Sequence, residues 1–207
     1  MVNNKEIILP LLNFPHKDIF YFIQIIQRKK DHKGETLGGS NNNSRLIKAY
    51  YINSIDKLEK QWEEMIKLAE VFDARVSINL NPRNYNKAGF ALLVKLSNQF
   101  SNGVFNKAHK AYNSVLGDYH SEIDKRWIVD IDEKDIPLID TIKNWIINRQ
   151  GELEDHEKAS RYKILSTIPS KSGFHIITNP FNLQYWNNDG FGHIEIHKNN
   201  PTNLYIP

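Results

Sequence analysis

Residues 126–132 read Arg-Trp-Ile-Val-Asp-Ile-Asp, and this stretch indicates the element around which the rest of the chain is arranged. Its apolar and aromatic residues predict a buried strand that ends in two carboxylates. Side chains two residues apart on a strand point to the same face, about 7 Å from each other. Asp130 and Asp132 can therefore share a cation.

The chemistry of this acidic pair favours a hard metal ion. Two like charges placed side by side in the interior are costly unless a positive group compensates them. Carboxylate oxygens suit Mg²⁺ or Mn²⁺, ions that keep some water and bind substrate phosphates. An alternative is that Asp132 only starts the turn into the next helix, with Glu133 and Asp135 as solvated companions.

The composition is that of an ordinary globular protein, with 207 residues, 40% hydrophobic and 25% charged. The length predicts one domain, residues 1–207. We expect it in the cytoplasm, because no apolar segment approaches the roughly 18 residues of a membrane span and no secretory signal is evident. The absence of cysteine excludes disulfides and cysteine-based zinc sites. A net charge of +3 is compatible with a polyanionic partner.

The first third predicts two helices, a strand and a long loop. Apolar spacing predicts a helix over 16–30 that ends in a basic cluster, and residues 31–44, rich in Gly and Asn, predict a flexible loop. Residues 46–53 predict a strand, and Ser54 is predicted to cap the following helix.

The next strand, residues 75–80, is expected to stop at Pro82, which cannot donate to a sheet ladder. Asn79, Asn81 and Arg83 would then lie at the end of the strand. Ligands in α/β folds usually bind at such ends, so these side chains are candidates for binding a nucleotide or a template. The alternative is an Asn-Pro turn with a surface arginine.

Helices are predicted over 88–100, 105–116 and 136–147, the last with Trp145 buried, and residues 152–158 form a charged linker. The last third predicts strands over 162–168, 174–178, 193–197 and 202–206, with the final two paired. Residues 180–190 are predicted to be a polar and aromatic connection.

The loop between the first two of these strands, residues 169–173, has the composition of an anion site. Lys171, Ser172 and Gly173 offer a cation, a hydroxyl and backbone N–H groups to a phosphate. His175 follows, one residue into the returning strand. A lone strand histidine is usually structural, and the preceding loop is what makes this one a candidate.

Three motifs stand in order along the chain: Asp130-Ile131-Asp132, Gly173-Phe174-His175 and Ile194-Glu195. Carboxylates that hold two divalent ions beside a basic group suit phosphoryl transfer. The same order of motifs resembles the archaeo-eukaryotic primase and primase-polymerase superfamily, whose pattern is an acidic pair, then small-x-His, then a further acid after a hydrophobic residue. The resemblance extends from about residue 45 to the C-terminus.

This resemblance implies an α/β (α+β) fold of primase-polymerase type. Its N-terminal α/β lobe would cover residues 1–120, and an RRM-like antiparallel-sheet lobe with the acidic motifs would cover 121–207. It also implies a stand-alone catalytic core of a virus or mobile element, in the host cytoplasm, which works with single-stranded DNA and with a separate replicative helicase.

By the same resemblance, Asp130, Asp132 and Glu195 would bind catalytic Mg²⁺ or Mn²⁺, and His175 would contact the phosphates of an incoming NTP or dNTP. Attack of a primer 3′-hydroxyl on the α-phosphate would then extend the primer. The third acid of the family is commonly Asp, whereas this chain has Glu195, and a zinc-binding segment is missing.

Other functions fit parts of the same pattern. Asp-x-Asp on a strand also occurs in metal-dependent glycosyltransferases. His193, Glu195 and His197 have the composition of a two-histidine, one-carboxylate iron or zinc site. A primase-like core that has lost turnover and binds nucleic acid is the remaining alternative.

Overall fold

The computed structural model describes residues 1–32, 43–118, 125–149 and 163–207. These residues form a mixed α+β fold with two antiparallel sheets, which confirms the predicted class at that level. The strands are β1 (Val2–Asn3), β2 (Ile19–Arg28), β3 (Ser44–Ile52), β4 (Arg75–Asn84), β5 (Trp127–Ile131), β6 (Ile164–Pro169), β7 (Phe174–Thr178), β8 (Glu195–His197) and β9 (Thr202–Ile206).

The two sheets differ in size and in the part of the chain that supplies them. The first has five strands in the order β1-β9-β4-β2-β3, and the second has four in the order β6-β7-β5-β8. All paired strands are antiparallel. The rule that places ligands at the carboxyl ends of parallel strands therefore does not apply to either sheet.

Helices connect and cover the sheets. They are α1 (Lys5–Ile8), α2 (Ile55–Val71), α3 (Tyr85–Ser101), α4 (Ala111–Asp118), α5 (Ile136–Arg149) and α6 (Leu183–Asn188). The predicted cap at Ser54 is confirmed, because its side chain accepts a hydrogen bond from the Lys57 N–H, and Asn84 caps α3 in the same way. Within the described ranges, no helix is long and apolar enough to cross a membrane.

The helix predicted over residues 16–30 is wrong, since this segment forms the ten-residue strand β2. The strand pairs with β3 on one side and β4 on the other, and its residues 20–23 and Ile25 are buried. A strand buried on both faces reads as a continuous apolar run, which periodicity alone does not distinguish from a buried helix. Its β-branched and aromatic residues were the signal in favour of a strand.

Strand β4 continues beyond Pro82, contrary to prediction. The pairing of β2 with β4 skips from Phe22 opposite Asn79 to Phe20 opposite Arg83. Pro82 lies within this bulge, where no ladder hydrogen bond is needed from its nitrogen.

The last strand, β9, also differs from prediction because it does not pair with β8. After β8 the chain leaves the second sheet, and β9 inserts between β1 and β4 of the first. The first sheet thus draws strands from both predicted lobes, 1–120 and 121–207. Residues 180–190, predicted to be only a connection, contain α6.

Two apolar cores lie on opposite sides of β5. Val129 and Ile131 pack with α5 and α6 in one core, whereas Ile128 packs in the larger core that includes the first sheet and α2. Because side chains alternate along a strand, Asp130 shares the face of Ile128. The acidic motif is thereby turned toward the first sheet. Trp145, expected to be buried, is only partly so.

Two predicted segments lie outside the described ranges: most of the 31–44 loop (33–42) and the 152–158 linker.

Candidate functional site

Asp130 lies at the centre of the candidate site, between two cross-strand partners. On β7 it is paired with His175, and on β8 it is paired with Glu195. Side chains of directly opposed residues lie on the same face of a sheet. Three residues that are far apart in the sequence are therefore brought together on adjacent strands.

The imidazole of His175 connects the acidic strand to the first sheet. Its Nε2 lies 3.3 Å from Oδ1 of Asp130, and its Nδ1 lies 2.8 Å from the hydroxyl of Thr202 on β9. The residue is buried. The ring is held at both nitrogens, so its orientation toward Asp130 is fixed by the return of β9 to the first sheet.

His197 is a second imidazole at Asp130, a contact that the sequence analysis did not predict. Its Nε2 lies 3.4 Å from Oδ2 of Asp130 and 3.4 Å from Oε2 of Glu195. The alternation of Glu195 and His197 along β8 was the available signal, because it places both on one face.

The contacts around Asp130 shift the pKa of this carboxyl and that of His197. Hydrogen bonding to His175 and then to His197 holds the pKa of Asp130 well below its usual range, against the opposing effect of burial. Hydrogen bonding to Asp130 raises the pKa of His197, and the charges of Glu195 and Asp132 add to this. The negative charge at the centre of the site is thus retained to unusually low pH.

Asp132 and Glu195 lie at the solvent side of this centre. Asp132 is the first residue after β5, and its Oδ1 accepts a hydrogen bond of 3.0 Å from the Ser172 hydroxyl. The side chain of Glu195 is 76% exposed. Both carboxylates can therefore change rotamer at little cost, in contrast to Asp130.

The hairpin loop that is predicted to bind an anion contacts the turn after the first sheet's β2. Lys171 forms an ion pair of 3.1 Å with Asp31, and the same carboxylate receives two hydrogen bonds from the buried guanidinium of Arg75. Burial alone would raise the pKa of Asp31. The hydrogen bonds and charges of Arg75 and Lys171 together outweigh this effect, so the pKa is lowered. The Lys171 ammonium already has a carboxylate partner.

Gly173 has a packing role rather than the predicted phosphate contact. Its N–H donates to the Ser170 hydroxyl, and its carbonyl accepts from the Ser170 N–H. A Cβ at this position would lie 1.9 Å from the Ile131 carbonyl oxygen and 2.8 Å from the Glu133 nitrogen. Only glycine allows the loop to pass this close to the end of β5.

Asn79, Asn81 and Arg83 lie in the interior rather than at an open strand end. The Asn79 and Asn81 amides donate to the backbone carbonyls of Asn199 and Lys198, respectively. All three side chains are buried, and none of them lines the cleft that contains Asp130.

Arg83 is the most deeply placed of the three. Its guanidinium donates to the carbonyls of Leu116 and Asn81. Asn79, Asn81 and Arg83 therefore do not face the cleft, contrary to the prediction that they lie at an open strand end. The reason is that β4 is a central antiparallel strand covered by the 198–199 connection and by α4.

A cleft of about 230 Å³ opens beside Asp130, between the two sheets. One wall carries the acidic and imidazole side chains already described, and the other carries cations of the first sheet and its adjoining turn. The residues that line it are Ile26, Arg28, Lys30, Ser44, Arg75, Ser77, Asp130, Asp132, Ser170, Ser172, His175, His197, Asn200, Pro201 and Asn203.

Arg28 and Lys30 are the cleft cations that sequence reasoning had assigned only to a basic helix end. They lie at the end of β2 and in the turn that follows it. A basic wall opposite a carboxylate centre can bind a phosphate chain while the acids stay accessible to a cation.

The donor chemistry at Asp130 fits Mg²⁺ or Mn²⁺ in kind, since three carboxylates and a hydroxyl supply oxygen ligands. As these side chains are placed, the described residues contain no group of three His, Asp or Glu side chains positioned to hold a metal. Each oxygen of Asp130 faces an imidazole nitrogen instead. His193 is turned away, with Nδ1 facing the Gly190 carbonyl, so it does not join Glu195 and His197 in an iron or zinc site.

Comparison with known protein families, with curated proteins and with solved structures finds no match to this chain.

Proposed function

We propose that the chain is a metal-dependent nucleotidyltransferase of primase-polymerase type, which makes or extends primers on single-stranded DNA from NTPs or dNTPs. The observation that carries the proposal is the register of three strands, which sets Asp130 between His175 and Glu195. The proposed activity needs the three motifs to lie close together in space, and their order along the sequence does not by itself ensure this. The finer fold, a primase-polymerase core with an RRM-like second sheet, is part of the same proposal.

Asp130, Asp132 and Glu195 are the side chains that would hold Mg²⁺ or Mn²⁺, which when bound would supply positive charge against a triphosphate. The chain itself would bind the phosphates between the His175 imidazole and the basic wall at Arg28 and Lys30. These cations replace the predicted set of Asn79, Asn81 and Arg83, whose side chains are used in the interior.

Single-stranded template would bind by charge and by stacking, because a polyanion releases counterions when cations neutralise it. The affinity for template should therefore fall steeply with salt. A separate replicative helicase would unwind the template.

A non-catalytic, nucleic-acid-binding module of primase type is the second candidate function. The observation in its favour is that both oxygens of Asp130 face imidazoles and that Glu195 is largely exposed, so that no three-ligand metal group is assembled within the described residues. Turnover, rather than binding, separates the two candidates.

The test is a synthesis assay with a single-stranded oligodeoxynucleotide, labelled NTPs or dNTPs and Mn²⁺. We expect labelled dinucleotides or extended primers from the wild-type protein, and a loss of at least about 100-fold in Asp130→Asn. Asp140→Asn, an exposed carboxylate on α5, is the matched control and should retain activity.

Template binding without product, unchanged in Asp130→Asn, would replace the enzyme with the binding module. An absence of both product and salt-sensitive template binding would reject both candidates.

A further inference from the structure

Helix α3 presents an apolar face that the fold leaves uncovered. Phe90, Leu93 and Val94 lie at spacings of three and four residues, which places them on one face of the helix. They are 71%, 64% and 62% exposed, respectively. Phe100 and Phe105 extend this surface, with their ring centroids 5.4 Å apart. We call these five residues the α3 patch.

A shallow cleft of about 420 Å³ borders the α3 patch, between α3 and α4. Its floor is aliphatic, and polar side chains stand at its rim. The lining residues are Ala91, Val94, Lys95, Asn98, Val115 and Asp118. A concave, aliphatic surface between two helices is the form of site that accepts the apolar side chains of a third helix.

The sequence that contains α3 is poor in acids. No Asp or Glu occurs between Asp73 and Asp118, a stretch that includes all of α3. Asp118 itself is paired with Lys95 at 3.2 Å. Lys107 and Lys110 are exposed in the segment that leads from α3 to α4. Among the described residues, two acids contact α3, and both are engaged: Asp118 with Lys95 and Asp18 with the Asn86 amide at 3.3 Å. With the exposed lysines, the border of the apolar surface is therefore mainly cationic.

We propose that the α3 patch is a docking site for a partner protein that presents an acidic amphipathic helix. Carboxylates on such a helix would complement the lysines at the rim, while its apolar side chains enter the cleft. A second copy of this chain would bring lysine against lysine, which is unfavourable. This inference does not depend on the proposed nucleotidyltransferase activity, because the α3 patch and the cleft at Asp130 share no residue.

Two other occupants fit the surface less well. Single-stranded nucleic acid stacks on aromatic platforms, and the α3 patch contains three Phe side chains, but within the described part of the chain the cleft beside them has no aromatic lining residue on which a base could stack. An anionic membrane would meet a basic, apolar helix face, but it offers no side chain to fill a concave cleft. Both remain as outcomes that the experiment distinguishes.

The test is to select peptides from a displayed random library on the immobilised protein, residues 1–207. The peptides should have about 15 residues, because shorter isolated helices are marginal in water. Peptides retained by the wild type should be enriched in Asp and Glu, with apolar residues at spacings of three and four. Individual peptides should bind Val94→Asp and Leu93→Asp at least about tenfold more weakly. Val71→Asp, on the exposed end of α2, is the matched control and should bind like the wild type.

Circular dichroism melting would establish that the exposed substitutions leave the fold intact. The proposal is overturned if no peptides are enriched, if those enriched carry no acidic bias, or if Val94→Asp and Leu93→Asp retain them. Three other measurements would also overturn it. These are loss, in the two variants, of oligo(dT) binding, of anionic vesicle binding, or of a wild-type dimer seen by analytical ultracentrifugation.

Discussion

Asp130 and His175 are directly opposed on adjacent antiparallel strands, with 3.3 Å between Oδ1 of the carboxylate and Nε2 of the ring. The second oxygen of Asp130 faces His197 at 3.4 Å. One carboxylate therefore lies between two imidazoles, and its contact with His197 lowers the pKa of Asp130 and raises that of His197.

Replacement of Asp130 by Asn should lower the pKa of His197. The hydrogen bond to the Asp130 carboxylate is the largest cause of the raised pKa, and an amide carries no charge to favour the imidazolium. NMR titration of the His197 ring in wild type and Asp130→Asn would measure the change. An identical titration in both proteins would contradict the assigned contact.

The same contact predicts how stability depends on pH. Because the folded-state pKa of His197 lies above the ordinary value of 6.5, its contribution to stability is complete below pH 6.5 and is lost as the pH rises through the raised pKa. His197→Gln should therefore be less stable than the wild type in mild acid, and the difference should shrink at alkaline pH. Urea denaturation over this range is the measurement, and a difference that does not vary with pH would count against it.

Substitution of Gly173 by Ala should destabilise the protein by about 1–3 kcal/mol, because the new methyl group would overlap the backbone at Ile131 and Glu133. Gly89→Ala on α3 is the control, since nothing lies within 4 Å of its Cβ position. A helical alanine there should stabilise by about 0.5–1 kcal/mol. Equal effects of the two substitutions in denaturant unfolding would refute the close approach.

Arg83 and Arg28 should behave in opposite ways when each is replaced by Met. Arg83→Met leaves the Leu116 carbonyl without its guanidinium donor and should cost about 1–3 kcal/mol of unfolding free energy. Arg28→Met, in the cleft wall, should leave stability within about 0.5 kcal/mol of the wild type.

The binding of triphosphate should show the reverse order. Arg28→Met should weaken it, whereas Arg83→Met should not affect it in the folded protein. Fluorescence titration with a labelled nucleotide gives the comparison, and a loss of nucleotide affinity confined to Arg83→Met would restore the original prediction for that residue.

Removal of the Asp31 charge should destabilise the protein by about 3 kcal/mol, because the Arg75 guanidinium is buried and would lose its carboxylate. The pKa of Asp31 is lowered, so its contribution is present above its ordinary value of 3.8 and is lost as the pH falls through the depressed pKa. The stability gap between Asp31→Asn and wild type should therefore close in strong acid. Lys171→Met, which removes only the more exposed partner, should cost less than about 1 kcal/mol.

The local pattern of the sequence determined several elements directly. The buried strand with its terminal acids, the hairpin that leads to His175 and the cap at Ser54 were all predicted from spacing and residue type. The alternation of residues 193–197 predicted a strand, whereas the choice of Glu195 as a site residue came from the resemblance to the primase superfamily. Each of these features is set by residue types a few positions apart in the sequence, the range over which the repeat of a strand or a helix can be recognised.

Long-range pairing decided the rest. Whether residues 19–28 form a helix or a strand depends on β3 and β4, which pair with its two edges, and the path of β9 depends on the edge offered by β1 and β4. The burial of Arg83, the partner of Lys171 and the approach of His197 to Asp130 follow from those pairings. A sequence pattern specifies which face of a strand is apolar, but the free energy that selects its neighbour comes from contacts between distant segments.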